Sequence, residues 1–155
     1  MNKIILPNEI MLGEVSQLLA EGRQVIIMTK GVSMIPFIRG GSDSVVLEKR
    51  SSINRGDIVL AEIFDGRYVL HRVLGVNGDD VRLKGDGNLA GVERCRLSDI
   101  QGTVVGIQHA SGKVSDPLSP EALKKWRQWH ATPRLIRRII LGITRRYLYR
   151  KGYES

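Results

Sequence analysis

Six short β-rich runs, separated by clusters of glycine, asparagine and aspartate, fill the middle of this chain: Val25 to Thr29, Ser44 to Leu47, Asp57 to Ile63, Tyr68 to Val76, Asp80 to Leu83 and Gly102 to His109. None is long enough for a helical bundle, and the breaks at Gly40-Gly41, Asp65-Gly66, Asn77-Gly78 and Gly85-Asp86-Gly87-Asn88 are turn chemistry. Asp-Gly and Asn-Gly supply the left-handed backbone of tight hairpins. The expected fold is therefore mainly β, a compact antiparallel sheet or partly open barrel with helical ends.

The ends read differently. Asn8 can cap a helix whose apolar residues Ile10, Met11, Val15, Leu18 and Leu19 recur at helical spacing, and Glu21-Gly22 ends it. Ser111 to Pro120, rich in serine and proline, reads as a linker, and Glu121 to Arg150 is helical in character. The division expected is a β-rich domain over 1–118 and a basic amphipathic tail over 119–155. A chain ending at Pro120 is expected to stay folded.

Charge sharpens that division. Residues 1–120 hold 14 Lys and Arg against 14 Asp and Glu, whereas residues 121–155 hold 10 against 2, so the whole net charge of +8 sits in the tail. Within the tail, Leu135, Ile136, Ile139, Ile140, Ile143 and Tyr147 share one helical face, arginines flank it, and Trp126 and Trp129 precede it. Two readings stand: an interfacial helix on an anionic membrane surface, or a helix packed on the β-domain by that stripe. No base-reading motif accompanies the charge, so no specific nucleic acid is expected. Cys95 is the only cysteine, which excludes an intrachain disulfide and fits a reducing compartment. The N-terminus lacks the apolar core of a secretory signal. The expected location is cytoplasmic, peripheral at the membrane if the tail binds there.

The residues able to carry chemistry are few. Ser33 sits in Gly31-Val32-Ser33-Met34-Ile35-Pro36, between permissive glycine and rigid proline at the end of a strand-like run, a setting that exposes a hydroxyl or simply makes a turn. A serine nucleophile needs a base, and His71, in Tyr68-Val69-Leu70-His71-Arg72-Val73, shares a strand face with Val69 and Val73. It is either that base or a histidine packed on a sheet. Asp86, in a glycine-rich loop one strand later, is either the carboxylate that orients His71 or a plain turn aspartate. Lys84 is a competing base that ranks behind His71. His109 and His130 read as ordinary surface residues, and Asp43 and Asp57 as residues that start strands.

Five blocks in order, Gly31 to Pro36, Asp43-Ser44-Val45-Val46, Arg55-Gly56-Asp57-Ile58-Val59, His71-Arg72-Val73 and Lys84-Gly85-Asp86-Gly87-Asn88, resemble the superfamily of type I signal peptidases and self-cleaving repressor peptidases, the S24/S26 serine peptidases. The histidine before an arginine is similar to its histidine-base branch. The resemblance implies a Ser33 nucleophile with its own amide as an oxyanion donor, a His71 base, and an extended peptide substrate with small residues ahead of the cut. It implies no cofactor and no metal. That branch also carries acids a few residues beyond its Lys-Gly-Asp block; here the first is Glu93, so Asp86 and Glu93 compete to orient His71, the block position pointing to Asp86. Two other roles share the fold. A self-cleaving regulator is expected to carry a DNA-binding domain and a cleavage site ahead of Ser33, whereas only some thirty residues precede it and the pair Ala90-Gly91 follows it. A catalytically idle peptide-binding module is the third role.

Overall fold

The computed structural model describes residues 2–5, 9–64 and 66–150, with side chains from residue 13 to 147 except 65. In chain order its elements are β1 (Asn2–Ile5), α1 (Glu9–Ala20), β2 (Val25–Met28), β3 (Ser44–Glu48), β4 (Ile58–Glu62), β5 (Tyr68–Asn77), β6 (Asp80–Lys84), β7 (Glu93–Arg96), a 3-10 turn (Leu97–Asp99), β8 (Ile100–Gln108), β9 (Val114–Ser115), α2 (Pro120–Ala131) and α3 (Arg134–Arg150). One curled sheet runs β1-β2-β3-β8-β4-β5-β6-β7, with β9 on the far part of β8. Every pairing is antiparallel except β1 with β2. The architecture is a half-barrel with an N-terminal helix and C-terminal helices, as the turn pattern predicts.

The curl has local causes. Register slips between Val46 and Leu47, between Leu60 and Ala61, and between Val73 and Gly75 insert bulges that bend the ladders. β4 reads Ile-Val-Leu-Ala without polar alternation because both its faces are covered: Ile58 and Leu60 join one core with Val15, Leu19 and Val104, while Val59 and Ala61 join a second with Val73, Val81 and Leu83. The turn at Asn77-Gly78 forms as expected, with Asn77 paired to Asp80 and Gly78 at φ 61°. Gly22, at φ 85°, ends α1 by donating to the Leu19 carbonyl. The proposed cap Asn8, and Asp65 of the other hairpin, lie outside the described residues.

The tail departs from its expected form. Ser119 accepts from the Ala122 amide at 3.1 Å and Pro120 takes the first helical position, so α2 starts cleanly where a linker was expected to end. α2 then docks: Trp126 and Trp129 are buried against the β-domain rather than standing at a membrane border. Any Cβ on Gly56 would lie 2.9 Å from Leu123, which marks how closely helix and turn approach. α3 touches the body through Leu141, which packs with Ile35 and Trp129. The stripe from Leu135 to Tyr147 faces away from it, exposed.

Candidate active site

The turn that carries Ser33 is closed at its base by backbone and carboxylate. The Thr29 amide and hydroxyl both donate to the Asp43 carbonyl, at 3.1 and 2.8 Å, and the Arg39 amide donates to Asp43 Oδ2 at 2.8 Å. Gly40 lies so close on the Gly31 backbone that a Cβ there would collide with Gly31 N and O. Met34, Ile35 and Ile38 point into the cores and pin the loop from within. Ser33 is left half-exposed on the outside.

The Gly85 to Asn88 loop is stitched to this turn by the Gly87 amide, which donates to the Ser33 carbonyl at 2.7 Å. A Cβ on Gly85 would lie 2.5 Å from the Ser33 carbonyl oxygen, 2.8 Å from Asn88 Nδ2 and 3.1 Å from His71 Nε2. The Ser33 backbone carbonyl and the His71 ring therefore flank a position that only glycine can occupy. Both line an open cleft of about 490 Å³, walled by Val69, Asn88 and the stretch from Ala90 to Glu93. Among the described residues neither the Ser33 hydroxyl nor its amide makes a hydrogen bond to protein.

The other ring nitrogen of His71 faces an acid. Nδ1 lies 2.6 Å from Glu93 Oε1, an ion pair once the ring is protonated. Glu93 is brought there by β7, whose register pairs it with Leu83 of β6. His71 is buried, and that burial holds its pKa below the ordinary imidazole value, with Glu93 opposing through its charge and its contact. A neutral imidazole at pH 7 can accept a proton.

Asp86 does not hold His71. Its carboxylate takes both Arg72 Nη2, at 2.6 Å, and Arg72 Nε, at 3.2 Å, in a buried fork-to-fork pair. The physical reason is the pleat: Arg72 and His71 are neighbours on β5 and point to opposite faces, and the loop places Asp86 on the arginine side. Arg72 also donates to the Gly56 carbonyl at 3.0 Å and stacks over Trp126, while Trp129 Nε1 donates to the Asp86 carbonyl at 2.8 Å. Asp86 and Arg72 thus anchor α2. From His71, Asp86 is felt only as a nearby negative charge.

The remaining candidates fall elsewhere. Lys84 Nζ donates to the Leu89 carbonyl at 3.3 Å, and its side chain joins Trp126, His130 and Arg137 away from the Ser33 cleft. His130 stacks on Trp126, and His109 bridges Asp43 and Ser115 at 3.3 and 2.9 Å, so neither is the ordinary surface histidine expected from sequence. The His109 bridge ties β9 and the end of β8 to the start of β3. Burial pushes the Cys95 thiol up to about 11, which removes it as a nucleophile. Among the described residues no group of three or more His, Cys, Asp or Glu could hold a metal ion.

A family model, Peptidase S24-like, matches residues 5–105. That span runs from the last residue of β1 into β8, with Ser33, His71 and Glu93 inside it and α2 and α3 beyond it. No curated protein matches the chain.

Proposed function

The chain belongs to the Peptidase S24-like family, and from that premise we propose that it cleaves peptide bonds with Ser33 as nucleophile, His71 as general base and Glu93 as the carboxylate that holds the base. The observation that carries this reading is the placement of His71, with Nδ1 on Glu93 and Nε2 turned toward the Ser33 turn across Gly85.

In this reading the Ser33 hydroxyl gives its proton to His71 Nε2 as Oγ bonds to the scissile carbonyl carbon, and the carbonyl π electrons move onto oxygen. The Ser33 amide, free of any protein acceptor among the described residues, donates to that oxyanion. Glu93 stabilises the imidazolium, which then protonates the leaving amine as the C–N bond breaks. Water, deprotonated by His71, then bonds to the acyl carbon, and the imidazolium returns that proton to Ser33 Oγ as the ester C–O bond breaks. Val69, Ala90 and Val92 line the cleft beside Ser33, where the family resemblance implies small substrate side chains. The substrate is an extended peptide or protein segment paired along exposed backbone.

A peptide-binding module with an idle site is the second reading, favoured by the absence of a hydrogen bond between Ser33 and His71. One experiment separates the two: incubate the chain with a mixed peptide library and sequence the new termini by mass spectrometry, beside Ser33→Ala and His71→Ala. New termini from the parent chain alone support the peptidase. Identical profiles from all three leave only the binding module.

A further inference from the structure

We infer that α3 is a docking helix for an anionic lipid bilayer surface, lying along the interface with its outer face in the lipid. The inference does not depend on the peptidase reading.

Two faces of one helix carry it. Toward the body, Leu141 is buried and Arg137 and Thr144, four residues before it and three after, are half-buried, which sets the inward side. At about 100° per residue, Leu135, Ile136, Ile139, Ile140 and Ile143 fall on the opposite side in a single apolar stripe. They are exposed, Leu135 by 67% and Ile143 by 63%. Five aliphatic side chains in water on one face are more than the scattered apolar residues any surface carries. The reading in which this stripe packs on the domain does not fit its direction.

Charge identifies the occupant. α3 holds six arginines and no acidic residue; Arg138, Arg145 and Arg146 are exposed, Arg146 within the arc of the stripe and Arg138 and Arg145 between its Leu135 edge and the body. An apolar stripe on a helix whose charges are all positive fits a surface that is apolar below and negative above, which an anionic bilayer supplies. A second copy of the helix would bring arginine against arginine. Among the described residues no helix is long and apolar enough to cross a membrane, so α3 lies on the surface. Its inner contacts reach Ile35, two residues from Ser33, and Trp129, which is bonded to Asp86. A bilayer bound by α3 is thereby mechanically joined to the cleft.

The test is flotation of the full chain with phosphatidylcholine vesicles containing phosphatidylserine, and with phosphatidylcholine alone. The parent chain floats with the anionic vesicles, and binding weakens as salt rises from about 0.1 to about 1 M, where the screening length falls from about 10 to about 3 Å. Ile139→Glu/Ile143→Glu, two exposed positions, lowers binding at least roughly tenfold while the near-ultraviolet circular dichroism is unchanged. Failure of the parent chain to float, equal binding to both vesicles, or unchanged binding by the double variant would overturn the inference. So would a dimer that the double variant dissolves, which assigns the stripe to a second copy.

Discussion

Glu93 Oε1 lies 2.6 Å from His71 Nδ1, while Asp86, the acid that its sequence block favours, is committed to Arg72 on the other face of the same strand. The two carboxylates differ in what they hold: one faces the candidate base, the other clamps the appended helix.

Removing each should therefore fail differently. Glu93→Gln keeps the fold and lowers the rate at which a fluorophosphonate acylates Ser33 by roughly 100-fold, the scale of a mis-set general base. Asp86→Asn leaves Arg72 charged and buried, which costs about 3–5 kcal/mol of stability. Its acylation rate below the new melting temperature stays within a few-fold of the parent. Thermal melts beside acylation rates check this; a stable, inactive Asp86→Asn would reverse the assignment.

The pH profile follows from the direction of the His71 shift. Only neutral imidazole accepts a proton, so acylation is lost as pH falls through the folded pKa of His71. Burial lowers that pKa, so the acid limb lies below the ordinary value near 6.5 and the rate is flat through neutrality. Glu93 raises the pKa, so Glu93→Gln moves the limb further down. A limb above 6.5, or one that moves up in the variant, contradicts the assignment.

Gly85 separates Ser33 from His71. Its Cα carries no left-handed strain, so Gly85→Ala acts by volume alone: the new methyl meets Ser33 O at 2.5 Å and His71 Nε2 at 3.1 Å. Overpacking of this kind costs about 1–3 kcal/mol. The acylation rate is expected to fall well beyond what the melting temperature explains, because the pair is pushed apart. Equal rates in Gly85→Ala and the parent would mean that the two side chains do not cooperate.

The helical end is expected to be needed for folding. Losing a buried tryptophan costs about 3–5 kcal/mol, and two such losses approach the whole stability of a small domain. A chain ending at residue 118 sheds Trp126 and Trp129 and uncovers the Arg72–Asp86 pair, so it is expected to be unfolded by circular dichroism at 25 °C. A chain ending at residue 132 keeps α2 and is expected to fold. The sequence expectation for a chain ending at Pro120, that it stays folded because the β-rich part holds every block of the resemblance, makes the opposite forecast, and the same circular dichroism checks both.

What could be read from sequence was what repeats or punctuates. The turn pairs, the long apolar runs and the helical spacing of Val15 and Leu19 yield the half-barrel and α1. Ser33 and His71 stand out because few other residues could play those parts. Glu93 was only a competitor because β7 reads Glu-Arg-Cys-Arg, a polar edge strand without an apolar signature, and an acid on an unrecognised strand has no assigned direction. β9 and β1 were missed for the same reason, being too short to show a period. Trp126 and Trp129 stand open between two readings in the sequence because a tryptophan beside arginines has one spacing whether it borders lipid or packs under a helix; their burial and the hydrogen bond from Trp129 to Asp86 decide.

The central claim is that Ser33 is a nucleophile activated by His71, and covalent capture reads it directly. Treat the full chain with a fluorophosphonate and follow intact mass, with Ser33→Ala and His71→Ala alongside. The account predicts a single adduct on the parent chain, mapped to Ser33, none on Ser33→Ala, and on His71→Ala a rate lower by roughly 100-fold or more. A parent chain that takes up no adduct, or one that labels equally fast without His71, would contradict it.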